Sequence, residues 1–170
     1  NTISDNGLYG IWHDGYTLPT IDHNSFSGHG QWSIYLWSNP NIVARITDNT
    51  FSGSPLHGHI RVSSGTISQS GTWTNQNVPY VIQGIVSVAD ASNPTLTLAP
   101  GVILRFDIDC WLGVAQMGLG KLVADGTQGA ITFTSNAASP APGDWDGLVF
   151  YDGADDSSLL DNVVVEYGGS

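Results

Sequence analysis

Short stretches in which apolar and polar residues alternate run along the whole chain, and turn residues separate them. In the second half these stretches are Val86-Val88, Leu96-Leu98, Val102-Leu104-Phe106, Leu112-Val114, Leu122-Ala124, Ile131-Phe133, Leu148-Phe150 and Val163-Val165-Tyr167. Alternation with a period of two is the pattern of a β-strand, and no segment has the 3.6-residue period of a helix. The pattern therefore predicts an all-β chain with almost no helix.

A short motif, Asn-Ser/Thr-Ile/Phe-Ser, occurs three times in the first third of the chain. It begins at Asn1, Asn24 and Asn49, so the copies are 23 and 25 residues apart. Short strands repeated with a period in the low twenties are typical of a coil of parallel strands, here of about seven turns. An antiparallel sandwich is the alternative, because its strands also recur every 8–12 residues. The match between equivalent positions of successive repeats favours the coil.

Stacked coils would give each position of the motif a structural role. Ile3, Phe26 and Phe51 are expected to point inward and form one column of the core. The three asparagines are expected to sit at a bend in the left-handed backbone conformation, with their amides hydrogen-bonded from coil to coil as a ladder. The alternative is that Asn-Ser and Asn-Thr only mark turns.

The charge of the chain excludes some partners. It has four Lys and Arg residues against fifteen Asp and Glu residues, which gives a net charge of −11. Nucleic-acid binding needs clustered basic residues, and none cluster here. No apolar run approaches the length of a membrane-spanning helix. An acidic surface that is poor in lysine favours solubility outside cells, so we expect an extracellular or cell-surface protein.

Four segments resemble a known fold family. They are "TLTLAPGVILRF" (95–106), "KLVADGTQGAITFTS" (121–135), "GDWDGLVF" (143–150) and "VVVEYGG" (163–169). They resemble extracellular right-handed parallel β-helix domains of the pectin-lyase-like superfamily. The resemblance implies a single right-handed parallel β-helix with open ends. It does not imply one activity, because the fold hosts lyases, glycosidases, adhesins and inert spacers.

The order of the segments departs from the family pattern. Residues 1–65 resemble the regular rungs that end one solenoid unit, and residues 66–170 resemble the entry and following rungs of the next, so we expect both to pack as one rod. Open strand edges invite another strand. We therefore expect Asn1 and Ile3 at one end, and Val163, Val165 and Tyr167 at the other, to contact further copies or adjacent repeats head to tail. The expected function is a structural module of a fibre, stalk or adhesin.

Catalytic and metal-binding candidates are few. Arg105 precedes Asp107 and Asp109, which would share one face of a strand and could act as the carboxylate pair of a glycosidase. The alternative is a solvated acidic face with Ile108 pointing inward. No cofactor is expected, and Ca²⁺ is the one candidate ion, with Asp152, Asp155 and Asp156 as its candidate ligands. The five histidines do not share a column, which argues against a zinc site.

One predicted surface carries an unusual set of aromatic residues. If Ile11, Ile34 and Ile60 point inward, then Trp12, Tyr35 and Arg61 point outward in one column, with Trp37 two residues beyond Tyr35. Exposed aromatic rings of this kind stack on neutral sugars or on another protein chain. The alternative is that residues 13–20 cover them. A carbohydrate-binding or polysaccharide-cleaving domain is thus the second functional hypothesis.

Overall fold

The computed structural model describes residues 1–169, and almost all of their regular secondary structure is β-strand. The strands are β1 (Thr2–Ser4), β2 (Tyr9–Asp14), β3 (Ile21–Asp22), β4 (Ser25–Ser27), β5 (Trp32–Trp37), β6 (Ile46–Thr47), β7 (Thr50–Phe51), β8 (Gly58–Ile67), β9 (Gly71–Trp73), β10 (Tyr80–Val88), β11 (Thr95–Leu98), β12 (Ile103–Phe106), β13 (Trp111–Val114), β14 (Lys121–Asp125), β15 (Ile131–Ser135), β16 (Gly147–Phe150), β17 (Leu159–Asp161) and β18 (Val163–Val165). A 3-10 helix, Pro40–Arg45, lies between β5 and β6. The predicted all-β class is confirmed.

All pairings between these strands are parallel, so the antiparallel sandwich is wrong. The largest sheet follows the path β2-β5-β8-β10-β12-β15-β18, and β13 and β16 extend it beside β10. A second sheet has the order β9-β11-β14-β17, and two small sheets are β1-β4-β7 and β3-β6. The main path holds seven strands.

The spacing between paired strands is regular in the first half and irregular in the second. Thr2 pairs with Ser25 after 23 residues, whereas Ala124 pairs with Leu160 after 36 residues. The extra residues in the second half form turns outside the strands, and one register shift, between Gln83 and Val86, interrupts the pairing of β8 with β10. The repeat is therefore recognisable from the sequence in the first half of the chain only.

The core is a continuous apolar column inside the coils. In β12, for example, Leu104 and Phe106 are buried while Ile103 and Arg105 are exposed, as the period of two requires. Ile3, Phe26 and Phe51 occupy one register column, and the rings of Phe26 and Phe51 stack with centroids 5.2 Å apart. This inward column was expected from the motif.

The expected boundary between residues 65 and 66 lies inside β8. That strand pairs with β5 on one side and with β10 on the other, and one apolar cluster includes buried residues from both segments. The 3-10 helix packs beside β9, where a side chain at Gly71 would come within 2.6 Å of the Ala44 Cβ. No helix among residues 1–169 has the length and apolar character needed to cross a membrane.

Candidate functional site

An aromatic face lies on the outer surface of the largest sheet, formed by Trp12, Tyr35, Trp37 and Arg61. The strand register places Trp12 beside Tyr35 and Tyr35 beside Arg61. Trp12 is 62% exposed and Trp37 is 45% exposed. Residues 13–20 leave this face open, and Tyr16 within that loop is itself 90% exposed.

Arg61 is the centre of the aromatic face. Its Cζ atom lies 4.2 Å from the centroid of the Tyr35 ring and 5.3 Å from that of Trp37. The two rings are nearly parallel, at 7°, with centroids 6.1 Å apart. Only 9% of Arg61 is exposed, and burial lowers the pKa of its guanidinium. Its Nη1 atom has no hydrogen-bond partner among the described residues. The π-faces of the two rings are the groups that stabilise this end of the guanidinium.

A polar row continues the aromatic face along the next coils, and it consists of Gln83, Asp107 and Asn136. The Nε of Arg61 donates to Oε1 of Gln83, and the Nε2 of Gln83 donates to Oδ2 of Asp107. The Nδ2 of Asn136 donates to Oδ1 of Asp107 at 2.8 Å. A groove of about 190 Å³ lies where the face meets the row, lined by Trp37, Ser38, Arg61, Ser63, Ser64 and Gln83. Flat rings beside amide and carboxylate groups are suited to binding polar ring compounds.

The candidate catalytic residues Arg105, Asp107 and Asp109 lie on β12 and in the turn that follows it. β12 ends at Phe106, so Asp107 and Asp109 lie in the turn after the strand, and Asp109 has φ 57°. The expectation that they share a strand face is therefore wrong, because the strand ends before either of them. Ile108, expected to point inward in the alternative view, is 75% exposed. Both carboxylate oxygens of Asp107 already accept amide hydrogen bonds, and Arg105 is exposed on the strand before it.

The candidate calcium ligands lie in a turn that Asp155 organises. Its Oδ1 accepts hydrogen bonds from the backbone N–H and the hydroxyl of Ser157, and its Oδ2 accepts from Asn93 Nδ2 at 2.9 Å. These bonds, first that from the Ser157 side chain, lower the pKa of Asp155 to about 2. Asp152 and Asp156 are exposed nearby in sequence. Asp155 thus has a structural role in holding the turn against Asn93.

The asparagines of the motif are hydrogen-bonded from coil to coil. Asn1 Nδ2 donates to Asn24 Oδ1 at 3.1 Å, and Asn24 Nδ2 donates to Asn49 Oδ1 at 3.2 Å. Gln76, which the motif did not indicate, extends the ladder, since its Oε1 accepts from the Asn49 backbone N–H at 3.3 Å. One expected detail is wrong: the left-handed residues are His23 and Asp48, each one position before the asparagine. The bend thus lies one residue before Asn24 and before Asn49. The side-chain amides of these asparagines can then hydrogen-bond to each other across the two coils.

Of the residues expected at the two ends, Ile3, Val163 and Val165 lie on strands that pair on one side only within residues 1–169, and Asn1 and Tyr167 lie just outside those strands. Ile3 pairs with Phe26, Val163 pairs with Ile131, and Val165 pairs with Phe133. Val165 is 48% exposed. Tyr167 packs partly against the core with φ 63°.

The chain matches no protein-family model, no curated protein and no solved structure. The resemblance to the pectin-lyase-like superfamily therefore depends on the sequence segments and on the parallel strands alone.

Proposed function

We propose that the chain is a segment of a right-handed parallel β-helix that serves as a structural module of an extracellular fibre, stalk or adhesin. The observation that carries the proposal is the ladder of four amide side chains, Asn1, Asn24, Asn49 and Gln76, beside a continuous apolar core. Right-handedness is supported by the strong preference of parallel strand connections for that hand. Stacked coils with paired backbones make a stiff rod.

The unpaired edges of β2 and β18 are where a further coil would continue the main sheet. Such a coil would come from the same polypeptide or from a second copy, since either can present a parallel strand. Low basic content also fits a protein outside cells, because it leaves few cleavage points for trypsin-like proteases.

The test combines self-association with resistance to proteolysis. Sedimentation velocity should give a sedimentation coefficient that rises with concentration if copies associate end to end. Subtilisin digestion should leave the folded chain largely intact, with urea-unfolded chain as the control. Digestion of the folded chain as fast as that of the unfolded chain would contradict the structural role.

Binding of neutral glycans is a second candidate function, and the exposed aromatic face favours it. Trp12 and Trp37 offer ring faces to a sugar, while Gln83 and Asn136 offer amide groups nearby. We expect binding without cleavage, because the oxygens of Asp107 are held by two amides. A glycan array should detect binding that Trp12→Ala abolishes and Tyr16→Ala, an exposed ring outside the face, leaves unchanged. Reducing-sugar release from a polysaccharide panel would overturn the view that the site only binds.

A further inference from the structure

A cluster of metal-ligating side chains lies at a corner away from the aromatic face. Asp22, His23 and Asp48 each place one ligand atom within 4.8 Å of the other two. The Nδ1 of His23 is 2.7 Å from Oδ1 of Asp22, and their side chains are 75% and 36% exposed. Asp48 is exposed as well. Hydrated ions therefore have access to all three groups.

The stacking of two coils brings the cluster together. Asp22 pairs with Thr47 across β3 and β6, so His23 and Asp48 follow at equivalent positions of consecutive coils. Both have left-handed backbones, with φ 53° and 50°, so the chain makes the same bend twice. The Thr47 hydroxyl donates to Oδ1 of Asp22 at 2.9 Å and holds that carboxylate at the corner. The two coils thus contribute ligands to one site.

The donor set selects the class of ion. One imidazole and two carboxylates suit a divalent first-row transition ion such as Zn²⁺, Co²⁺ or Mn²⁺. Ca²⁺ takes six to eight oxygen ligands, and Mg²⁺ keeps an octahedral shell of oxygens, so neither is suited to a site with an imidazole. Ligand atoms on one tetrahedral Zn²⁺ are about 3.4 Å apart, which exposed side chains can reach by small rotations. Water would complete the coordination.

We propose that Asp22, His23 and Asp48 form a transition-metal site that links two consecutive coils. A metal that binds only the folded pair of coils stabilises it by mass action. The site is separate from the proposed structural role and from glycan binding, because none of its three metal-ligating side chains belongs to the amide ladder, the aromatic face or the polar row. Its failure would leave those proposals standing.

The experiment uses metal-free protein at about pH 8, where an ordinary histidine is neutral. Titration with Zn²⁺ in a calorimeter should show one saturable site per chain, and Zn²⁺ should raise the melting temperature by a few degrees. His23→Asn and Asp48→Asn each remove one ligand, and asparagine tolerates the left-handed backbone at both positions. We expect affinity to fall at least about tenfold in each, with loss of the melting shift.

Two variants are matched controls. Asp5→Asn is the control for Asp48→Asn, because Asp5 is also an exposed aspartate with a left-handed backbone, at φ 56°. His57→Asn is the control for His23→Asn, because His57 is also an exposed histidine. Both should bind Zn²⁺ like the unaltered chain. Equal affinity in all variants, or no saturable site, would overturn the proposal.

Should a variant fail to fold, the unaltered chain still gives an answer. Co²⁺ should selectively broaden the imidazole signals of His23 in its NMR spectrum, and uniform broadening of all five histidines would refute the site.

Discussion

The Oδ1 atom of Asn49 accepts two hydrogen bonds from Asn24 in the neighbouring coil, one from its backbone N–H at 3.0 Å and one from its amide at 3.2 Å. The Nδ2 of Asn49 donates to the backbone oxygens of Ile21 at 2.8 Å and Thr47 at 2.9 Å. Asn49 is only 6% exposed. One buried side chain thus makes hydrogen bonds to polar groups of two coils, and its bond to Ile21 is fully buried.

Asn49→Ala should lower the free energy of unfolding by about 2–4 kcal/mol, because it removes the side-chain partner of the buried Ile21 oxygen and of the part-buried Asn24 backbone N–H. Urea unfolding monitored by tryptophan fluorescence measures the loss. Asn1→Ala removes an exposed member of the same ladder, and it should cost less than about 1 kcal/mol. Equal losses in the two variants would mean that burial does not determine the strength of the ladder.

Trp145→Ala should destabilise the second half of the chain by about 3–5 kcal/mol, the usual cost of removing a fully buried aromatic ring. Trp145 is 0% exposed, stacks on Phe106 with centroids 4.1 Å apart, and donates from Nε1 to the Glu166 oxygen at 2.9 Å. Denaturant unfolding followed by circular dichroism checks this. Trp12→Ala, which changes an exposed tryptophan, should stay within about 0.5 kcal/mol; a comparable loss there would refute this account.

The two columns Phe26-Phe51 and Tyr35-Arg61 could be predicted from the sequence because stacked coils place equivalent residues side by side. Gln76 could not be, since it continues the ladder with a different residue type after a step of 27 residues from Asn49. The fold class follows from alternation and repeat length, which depend on backbone geometry alone.

Contacts between residues of different types could not be predicted from the repeat pattern of the sequence. The placement of His23 beside Asp48 joins two different residue types, so no column of like residues indicates it. The strand ended at Phe106, earlier than the alternation indicated, and both carboxylate oxygens of Asp107 accept hydrogen bonds from amides. Such contacts depend on the conformation of turns and on the length of side chains, and neither produces a periodic pattern in the sequence.

Arg61→Met should cost less stability than Arg61→Ala. Methionine keeps an extended side chain against the Tyr35 and Trp37 rings and removes a charge whose burial is unfavourable, whereas alanine leaves both rings without their packing partner. We expect a loss of about 1 kcal/mol for methionine and about 2–3 kcal/mol for alanine. Urea unfolding measures both. If methionine costs as much as alanine, the charge of Arg61 matters more than its packing.

His59→Gln should flatten the pH dependence of stability on the acid side of neutrality. Burial lowers the pKa of His59, and a nearby His29 acts in the same direction. The unfolded chain, with an ordinary pKa of about 6.5, therefore binds the proton more readily than the folded chain does. The stability contributed by the neutral ring is complete above about pH 6.5 and is lost as the pH falls through the folded pKa.

Glutamine can keep the contact that His59 Nδ1 makes with the Ser33 hydroxyl at 2.9 Å, so the substitution chiefly removes the titrating group. Urea midpoints at about pH 5 and about pH 8 should differ less in His59→Gln than in the unaltered chain, on either side of the ordinary histidine pKa. An NMR titration of the folded chain gives the pKa of His59 directly. A folded pKa at or above the ordinary value would contradict the burial of this ring as the cause, because a desolvated imidazole must favour its neutral form.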